Sequence, residues 1–159
     1  TSTELTLAGA VTNLNCFGDS NGSIDLTVSG TGPFAYYWSN GATTQDISNL
    51  IAGQYGVFVH DINGCVSSIS FNVLQPNEMT AIVSASNPTT CISNDGTFTA
   101  TISGGTAPYA FDWTDDSGIS VNSTDNPTTL SAGSYKLTVT DDNGCIFTGN
   151  YTISDPNAP

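Results

Sequence analysis

One segment of this chain occurs twice, and the duplication constrains the fold more than any single residue does. Residues 52–65 read AGQYGVFVHDINGC, and residues 132–145 read AGSYKLTVTDDNGC. In both copies a Tyr and two further apolar residues occupy every second position, which is typical of a half-buried β-strand. The Asn-Gly pair near the end of each copy favours a tight hairpin turn. Each copy therefore predicts a strand that leads through a hairpin into a partner strand.

The cysteines repeat with a similar period. Cys91 lies 75 residues after Cys16, and Cys145 lies 80 residues after Cys65. This period predicts two tandem domains, residues 1–76 and 77–159. A domain of this size gains little net stability from its core, so a covalent staple is expected. Four cysteines at matching places supply one, and they indicate an oxidising compartment.

Two disulfide pairings are consistent with the spacing. Pairing Cys16 with Cys65 and Cys91 with Cys145 gives each domain its own staple, and closing so long a loop is worth about 4 kcal/mol on the chain-entropy model. Against this, Cys16 and Cys65 are predicted at opposite ends of their domain. The alternative joins Cys16 to Cys145 and leaves Cys65 and Cys91 for neighbouring repeats. We favour the pairing within repeats, because each small domain needs its own staple.

Alternating apolar residues continue along most of the chain, with Gly, Pro, Asn and Asp interrupting them about every 8 to 12 residues. No segment has a helical period of useful length. The pattern predicts an all-β chain built as two tandem immunoglobulin-like β-sandwich domains. Large aromatic residues in step with the apolar positions belong to the core. We expect the structural core to include Trp38, Tyr55, Trp113 and Tyr135.

The charge of the chain excludes two classes of partner. There are 14 acidic residues against a single basic one, and the net charge is -13. Nucleic acids and anionic membrane surfaces attract cationic proteins, so neither is an expected partner. No apolar run is long enough for a membrane-spanning segment. We expect the chain to be a segment of a longer secreted or surface protein.

The order of short motifs resembles the SprB-type repeat of very large surface adhesins from gliding Bacteroidetes. In repeat 1 the motifs are Cys16, Asn21-Gly22-Ser23, Ser29-Gly30-Thr31-Gly32-Pro33-Phe34, Trp38 and residues 52–65. In repeat 2 they are Cys91, Asp95-Gly96-Thr97, Ser103-Gly104-Gly105-Thr106, Pro108-Tyr109, Trp113 and residues 132–145. Repeat 1 departs from the pattern because it lacks the second Gly of the Gly-Gly turn and has Phe34 in place of Tyr. The Trp and the repeated strand are also similar to those of PKD domains.

The resemblance implies a function on the outside of the cell. Proteins of this kind leave through the type IX secretion route and form long surface filaments for attachment or gliding. The expected partners are neighbouring repeats of the same chain, together with surface polysaccharide or another surface protein. The resemblance implies no catalytic site, and the lone His60 is predicted on the outer face of its strand. We therefore predict that the chain is not an enzyme.

Calcium is the one cofactor for which the sequence offers candidate ligands. Asp-rich turns carry side-chain oxygens, but the later Glu of a complete calcium loop is missing, and turn formation alone explains the same residues. The candidate ligands are Asp19, Asp61, Asn63, Asp95, Asp141, Asp142 and Asn143.

A second candidate site is a group of aromatic residues that occurs in repeat 1 alone. Tyr37, Phe58 and His60 are predicted on the outward face of two neighbouring strands, where repeat 2 has Asp112, Thr138 and Thr140. Three rings together suit stacking on a sugar or contact with another domain. This site supports an alternative function, a carbohydrate-binding accessory module of a secreted glycan-degrading enzyme.

Overall fold

The computed structural model describes residues 3–157, so residues 1, 2, 158 and 159 at the ends of the predicted domains lie outside the described part. The chain divides into two compact units, Thr1–Pro76 and Asn77–Pro159. Residues 3–157 form strands, turns and irregular segments without a helix. The prediction of an all-β chain is confirmed.

Unit 1 is a sandwich of two three-stranded antiparallel sheets. One sheet has the order β1-β2-β4 and the other has the order β3-β5-β6. The repeated segment of the sequence supplies β5, which lies at the centre of its sheet. The strands are β1 (Thr6–Thr12), β2 (Gly22–Ser29), β3 (Ala35–Trp38), β4 (Ile47–Leu50), β5 (Gly53–His60) and β6 (Val66–Val73).

Unit 2 has the same plan with two changes. The strands are β7 (Thr80–Ser86), β8 (Thr97–Ser103), β9 (Ala110–Asp115), β10 (Ser120–Asn122), β11 (Gly133–Thr140) and β12 (Ile146–Ile153). β7 pairs with β8, and the second sheet has the order β10-β9-β11-β12. An isolated bridge between Gly96 and Leu130 stands where unit 1 has the β2–β4 pairing.

Repeat 2 has a longer connection than repeat 1 after its Trp, and part of it forms the short strand β10. β10 pairs with the edge of β9, with Ser120 opposite Thr114. Asp115 organises the turn between them, because its Oδ1 accepts hydrogen bonds from the backbone N–H groups of Ser117 (2.9 Å) and Ile119 (3.0 Å). The insertion therefore widens one sheet of unit 2 by a short edge strand.

Each unit has its own core, centred on its tryptophan. Trp38 is 4 % exposed and Trp113 is fully buried. Both indole N–H groups donate to backbone carbonyls, Trp38 to Thr44 at 2.8 Å and Trp113 to Thr124 at 3.0 Å, so burial leaves no donor unpaired. Two separate sandwiches with separate cores confirm the predicted immunoglobulin-like fold class.

The aromatic residues around the two tryptophans differ between the units. In unit 2 the rings of Phe98 and Trp113 stack with centroids 4.6 Å apart, and Tyr135 is buried against Phe98. Unit 1 has Ile24 in that part of its core, and Tyr55 is only half-buried there. Of the four residues predicted for the core, Tyr55 is thus the least enclosed.

Strand direction gives unit 1 two distinct ends. At the hairpin end, Ile62 of the β5–β6 loop donates its N–H to the carbonyl of Thr31, just after β2. At the loop end, Leu14 donates its N–H to the carbonyl of Leu74 at 2.9 Å, and Leu74 donates back to Oδ1 of Asn13 at 2.9 Å. The β1–β2 loop and the β5–β6 hairpin therefore lie at opposite ends of the sandwich.

Candidate functional site

The three outward aromatic residues of repeat 1 lie together, as their strand register requires. Tyr37 on β3 is paired with Phe58 on β5, and Ala35 is paired with His60. The side chains of Tyr37 and Phe58 are 53 % and 57 % exposed. The rings of Tyr37 and His60 meet edge to face with centroids 5.2 Å apart. We call Tyr37, Phe58 and His60 the aromatic face.

Small polar residues continue the aromatic face onto β6. Ser68 is paired with Phe58, and Ser70 is paired with Gly56. Because Gly56 has no side chain, a shallow depression of about 320 Å³ opens beside Phe58, with Ser68 and Ser70 on its rim. The surface thus offers flat rings next to hydroxyl groups that can donate and accept hydrogen bonds.

The corresponding surface of unit 2 is polar and partly covered. Thr138 is paired with Asp112, and Oδ1 of Asp112 accepts a 2.6 Å hydrogen bond from the hydroxyl of Ser120 on β10. The strand that is extra in unit 2 therefore reaches the position equivalent to Tyr37. The two repeats share a fold but present different outer faces.

The hairpin carboxylates, Asp61 and Asp141, form the second candidate site. Oδ1 of Asp61 accepts hydrogen bonds from the backbone N–H groups of Asn63 and Cys65, each at 2.8 Å. Oδ1 of Asp141 does the same for Asn143 (2.9 Å) and Cys145 (2.8 Å). Gly64 and Gly144 follow in the left-handed region, with φ of 84° and 83°.

These hydrogen bonds correct the predicted turn. Asn-Gly favours a two-residue hairpin, but His60 pairs with Val66 and Thr140 with Ile146, so each loop has five residues. The aspartate side chain captures two backbone N–H groups and thereby holds the longer loop. Cys65 consequently lies in this loop, before β6 begins, and is exposed.

The second oxygen distinguishes the two hairpin carboxylates. Oδ2 of Asp141 accepts a 2.8 Å hydrogen bond from the backbone N–H of Thr106. Oδ2 of Asp61 is buried and has no hydrogen-bond partner. Repeat 1 has Ser-Gly-Thr where repeat 2 has Ser-Gly-Gly-Thr. The shorter turn thus leaves an unsatisfied carboxylate oxygen in unit 1, which sequence analysis missed despite noting the absent Gly.

Local hydrogen bonds also set the pKa values of two carboxyl groups in unit 2. Burial raises the pKa of Asp141, but backbone N–H donors from Thr106, Cys145 and Asn143 together outweigh it, and the net pKa lies below its usual range. Asp95 accepts from the hydroxyls of Ser93 (2.6 Å) and Thr89 (2.7 Å), which lower the pKa of Asp95 to about 2.

The remaining candidate calcium ligands make hydrogen bonds within their own units. Asp19 accepts from the amide of Asn21 at 3.2 Å, Asp142 donates its N–H to the carbonyl of Thr106, and Asn143 donates its amide to the Thr106 hydroxyl. Within residues 3–157, no three His, Cys, Asp or Glu side chains form a group that could hold a metal ion. In each unit the candidate ligands of the hairpin loop and the candidate in the loop between the first two strands lie in separate parts of the chain.

The cysteines do not pair within repeats. Cys16 and Cys145 are disulfide-bonded, whereas Cys65 and Cys91 are free and exposed. The pairings of Cys16 with Cys65 and of Cys91 with Cys145 are therefore wrong. The eight residues of β6 separate the hairpin end from the loop end by about 25 Å, far beyond the roughly 7 Å between Cα atoms that a disulfide spans.

The Cys65 thiol lies beside the hairpin carboxylate of its own loop. The negative charge of Asp61 raises the pKa of Cys65, and desolvation and a hydrogen bond to the Asp61 side chain act in the same direction. Because the thiolate is the reactive form, this environment slows nucleophilic reactions of Cys65.

Together these features define a tandem pair of immunoglobulin-like sandwiches in which one repeat carries an outward aromatic face. The SprB repeat family matches residues 8–43 and 83–118, one match in each unit. The resemblance predicted from the motifs is confirmed, because one stretch in each unit is similar to the SprB repeat. This match supports a repeat of the cell-surface adhesin type. No curated protein sequence matches the chain.

Several solved structures share a distant likeness with the chain. DIP-gamma IG1+IG2 is 14% identical over 96% of this chain and 97% of that chain, with a TM-score of 0.49. A C-terminal fragment of intimin, in complex with the intimin-binding domain of the translocated intimin receptor, is 16% identical over 99% and 64%, with a TM-score of 0.45. A Dscam structure is 15% identical over 97% and 46%, with a TM-score of 0.41. The chain spans less than half the length of the first solved structures that it matches.

One further property concerns the membrane. The described part of the chain holds no helix capable of spanning a lipid bilayer.

Proposed function

We propose that this chain is a stalk segment of a large exported surface adhesin, with a mechanical and not an enzymatic role. The observation that carries the proposal is the SprB repeat match in each of two sandwiches that have their own cores. Repeated domains of this kind extend a protein and multiply weak contacts along it. The parent protein is exported by the type IX route and stays on the cell surface, where it supports attachment or gliding.

The acidic surface suits a domain that is repeated along an extracellular filament. A net charge of -13 keeps neighbouring molecules apart and soluble outside the cell. Neighbouring repeats of the same protein are the closest partners. Surface polysaccharide or another surface protein binds the filament at repeats that have a suitable binding surface.

Surface labelling and an in-frame deletion test the stalk. An antibody against this chain is expected to label intact cells that make the parent protein, and labelling only after permeabilisation would contradict the surface location. Deleting both repeats in frame is expected to shorten the filament while its display and the attachment of the cells persist. Complete loss of attachment with display intact would instead assign the adhesive contact to these two repeats.

A second candidate function is carbohydrate binding by the aromatic face, and the specific observation in its favour is the side-by-side exposure of Tyr37 and Phe58. Aromatic rings with an apolar face and polar neighbours suit the mixed surface of a sugar. Ser68 and Ser70 would supply hydrogen bonds at the rim of the depression. Since the chain is strongly acidic, a neutral polysaccharide fits better than an anionic one.

Binding to neutral polysaccharides tests this second candidate, with Phe17 as a matched control. Phe17 is 49 % exposed, similar to Phe58, but lies in the β1–β2 loop. In affinity electrophoresis with neutral glucans, xylans and mannans, Tyr37→Ala and Phe58→Ala are each expected to weaken binding at least tenfold. Phe17→Ala is expected to bind like the parent chain. Equal retardation of all three variants would exclude the aromatic face as the binding site.

Calcium binding stays a prediction for the hairpin carboxylates. Support comes from the run of oxygen-bearing side chains Asp141, Asp142 and Asn143, of which Asp142 is exposed. Hard oxygen ligands of this kind are those that calcium prefers. The oxygens of Asp141 already accept backbone hydrogen bonds, so a bound ion would rely on Asp142, backbone carbonyls and water.

A further inference from the structure

The depression beside Phe58 has the main chain of Gly56 as its floor, and Ser39 holds that floor in place. The N–H of Gly56 donates to Oγ of Ser39 at 3.1 Å, and the carbonyl of Gly56 accepts from the N–H of Ser39 at 2.8 Å. The φ of Gly56 is not positive, and a Cβ added there would meet no atom within 4 Å. Glycine destabilises the interior of a strand. Neither the backbone conformation nor crowding therefore explains a glycine at this position.

Unit 2 shows that the sandwich accommodates a long side chain at the equivalent position. Gly56 and Lys136 are each the fifth residue of the repeated segment. Lys136 is exposed on β11, where it is paired with Thr114 and Asn150. The missing side chain at Gly56 is therefore a feature of the aromatic face and not of the fold.

The sheet that carries the aromatic face is free of charged residues. β3, β5 and β6 contain no Asp, Glu, Lys or Arg, although the chain has 14 acidic residues. The equivalent strands β9 and β11 of unit 2 carry Asp112, Asp115 and Lys136. A charged ligand on the aromatic face would lose water without gaining a counter-ion from these strands, whereas a neutral ligand has no such cost.

We propose that Gly56 determines the specificity of the aromatic face, because the depression above it receives the exocyclic hydroxymethyl group of a hexose that stacks on Phe58. Gly56 and Phe58 face the same side of β5, about 7 Å apart along the strand. A group at the rim of the stacked sugar ring therefore reaches the depression. There the hydroxyls of Ser68 and Ser70 can donate to and accept from the hydroxyl of the sugar.

The ligand class is a neutral β-1,4-linked hexose polymer. Its equatorial linkages give a flat, extended chain, which suits an open sheet surface with exposed rings. The proposal rests on carbohydrate binding by the aromatic face, the second candidate function above. A pentose such as xylose has no hydroxymethyl group and leaves the depression to water. Burying one methylene group and forming one hydrogen bond together correspond to about tenfold in affinity.

Two sugars that differ only in the hydroxymethyl group test the role of Gly56. In calorimetric titrations of the whole chain, the β-1,4-linked pentasaccharide of glucose is expected to bind about tenfold more tightly than that of xylose. Gly56→Val fills the depression and is expected to lower glucose binding to the level of xylose, with xylose binding unchanged. Valine fits the open space and favours a strand, so the melting temperature should not fall. Ser134→Val, at an exposed position of β11, is the control and should bind like the parent chain.

Three results would overturn the proposal. Equal affinity of the parent chain for the two pentasaccharides, or a preference for glucose that survives in Gly56→Val, would remove the role of Gly56 while carbohydrate binding stands. Equal weakening of both sugars by Gly56→Val would show that the valine obstructs the whole face. A parent chain that binds neither pentasaccharide would exclude the ligand class. If no neutral polysaccharide retards the chain either, the second candidate function fails as well.

Discussion

Thr106 donates its backbone N–H to Oδ2 of Asp141 at 2.8 Å, and the hairpin carboxylate of unit 1 has no such donor. The donor reaches Asp141 because Gly105, with φ of 65°, turns the chain just before Thr106. A Cβ at that glycine would lie 2.9 Å from Oδ2 of Asp141, so only glycine fits without movement. One residue of turn length thus decides whether a buried oxygen is satisfied.

Lengthening the turn of repeat 1 is expected to stabilise unit 1. Inserting a Gly between Gly30 and Thr31 restores the Ser-Gly-Gly-Thr sequence and brings a backbone N–H to Oδ2 of Asp61. Satisfying a buried oxygen is worth about 1 to 3 kcal/mol. Hydrogen exchange of β5 and β6 amides in urea should show this gain, with unit 2 unchanged. The reciprocal variant, deletion of Gly105, should destabilise unit 2 alone. An inserted chain with faster exchange in unit 1 would contradict this account.

Acid is expected to remove a contribution of Asp95 to stability. Because hydrogen bonds lower the pKa of folded Asp95 to about 2 from an unfolded value of about 3.9, the contribution is complete above about pH 4. It is lost as pH falls through the folded pKa. The melting temperature of Asp95→Asn should therefore lie below that of the parent at pH 7 and converge with it near pH 2. The exposed Asp116 gives the control, and Asp116→Asn should show no such convergence.

Removing either core tryptophan is expected to destabilise its own unit by about 3 to 5 kcal/mol, because a large buried side chain leaves a cavity. The chain has two tryptophans, so in Trp38→Ala the fluorescence of Trp113 reports on unit 2 alone. Unit 1 is followed by peptide-level hydrogen exchange. Phe17→Ala removes an exposed ring and should change stability by less than about 0.5 kcal/mol. A similarly small effect of Trp38→Ala would contradict the core assignment.

Calcium binding at the hairpin carboxylates predicts a melting temperature that rises with added calcium and falls in chelator, since an ion that binds the folded state alone stabilises it by mass action. Asp142→Asn should abolish the rise. Magnesium at the same concentration controls for ionic strength. Identical melting temperatures in calcium and in chelator would show that these residues form turns and do not bind calcium.

Alkylation under non-reducing conditions is expected to label Cys65 and Cys91, and to label Cys16 and Cys145 only after reduction. Asp61→Asn removes the negative charge beside Cys65, lowers the pKa of Cys65 and should speed its labelling several-fold at pH 7. The labelling rate of Cys91 is the internal control and should not change. A disulfide peptide that contains Cys65 would contradict the assignment.

Local patterns in the sequence were sufficient to predict the repeated strands β5 and β11 and the buried tryptophans. The alternation around Trp38 and Trp113 depends only on neighbouring residues, and so does the register that places Tyr37 beside Phe58. The loop of five residues was missed, because the Asp61 side chain competes with the Asn-Gly turn. An Asp two residues before the Asn is the available signal for this outcome.

Features that depend on distance across the sandwich could not be predicted in the same way. The predicted disulfide between Cys16 and Cys65 was wrong. The argument that a small domain gains stability from a disulfide does not indicate which ends of its strands lie close together. The unsatisfied oxygen of Asp61 depends on a turn that is distant in sequence and one residue shorter than its counterpart. β10 formed because the longer connection in repeat 2 can fold back along the free edge of β9.

The hydrogen bonds that join Leu74 to Leu14 and Asn13 have a mechanical consequence. The chain enters unit 1 at the hairpin end through β1 and leaves it at the loop end through β6, and Gly9 of β1 lies against the ring of Phe71 on β6. A pull on the two ends of the unit therefore acts along the strands and slides β1 past β6. Under such shear, the contacts along both strands and the hydrogen bonds at Leu74 resist the force together. A force that separated the strands from one end would break the same interactions one at a time. Shear of this kind gives a small domain high resistance to force without a large core.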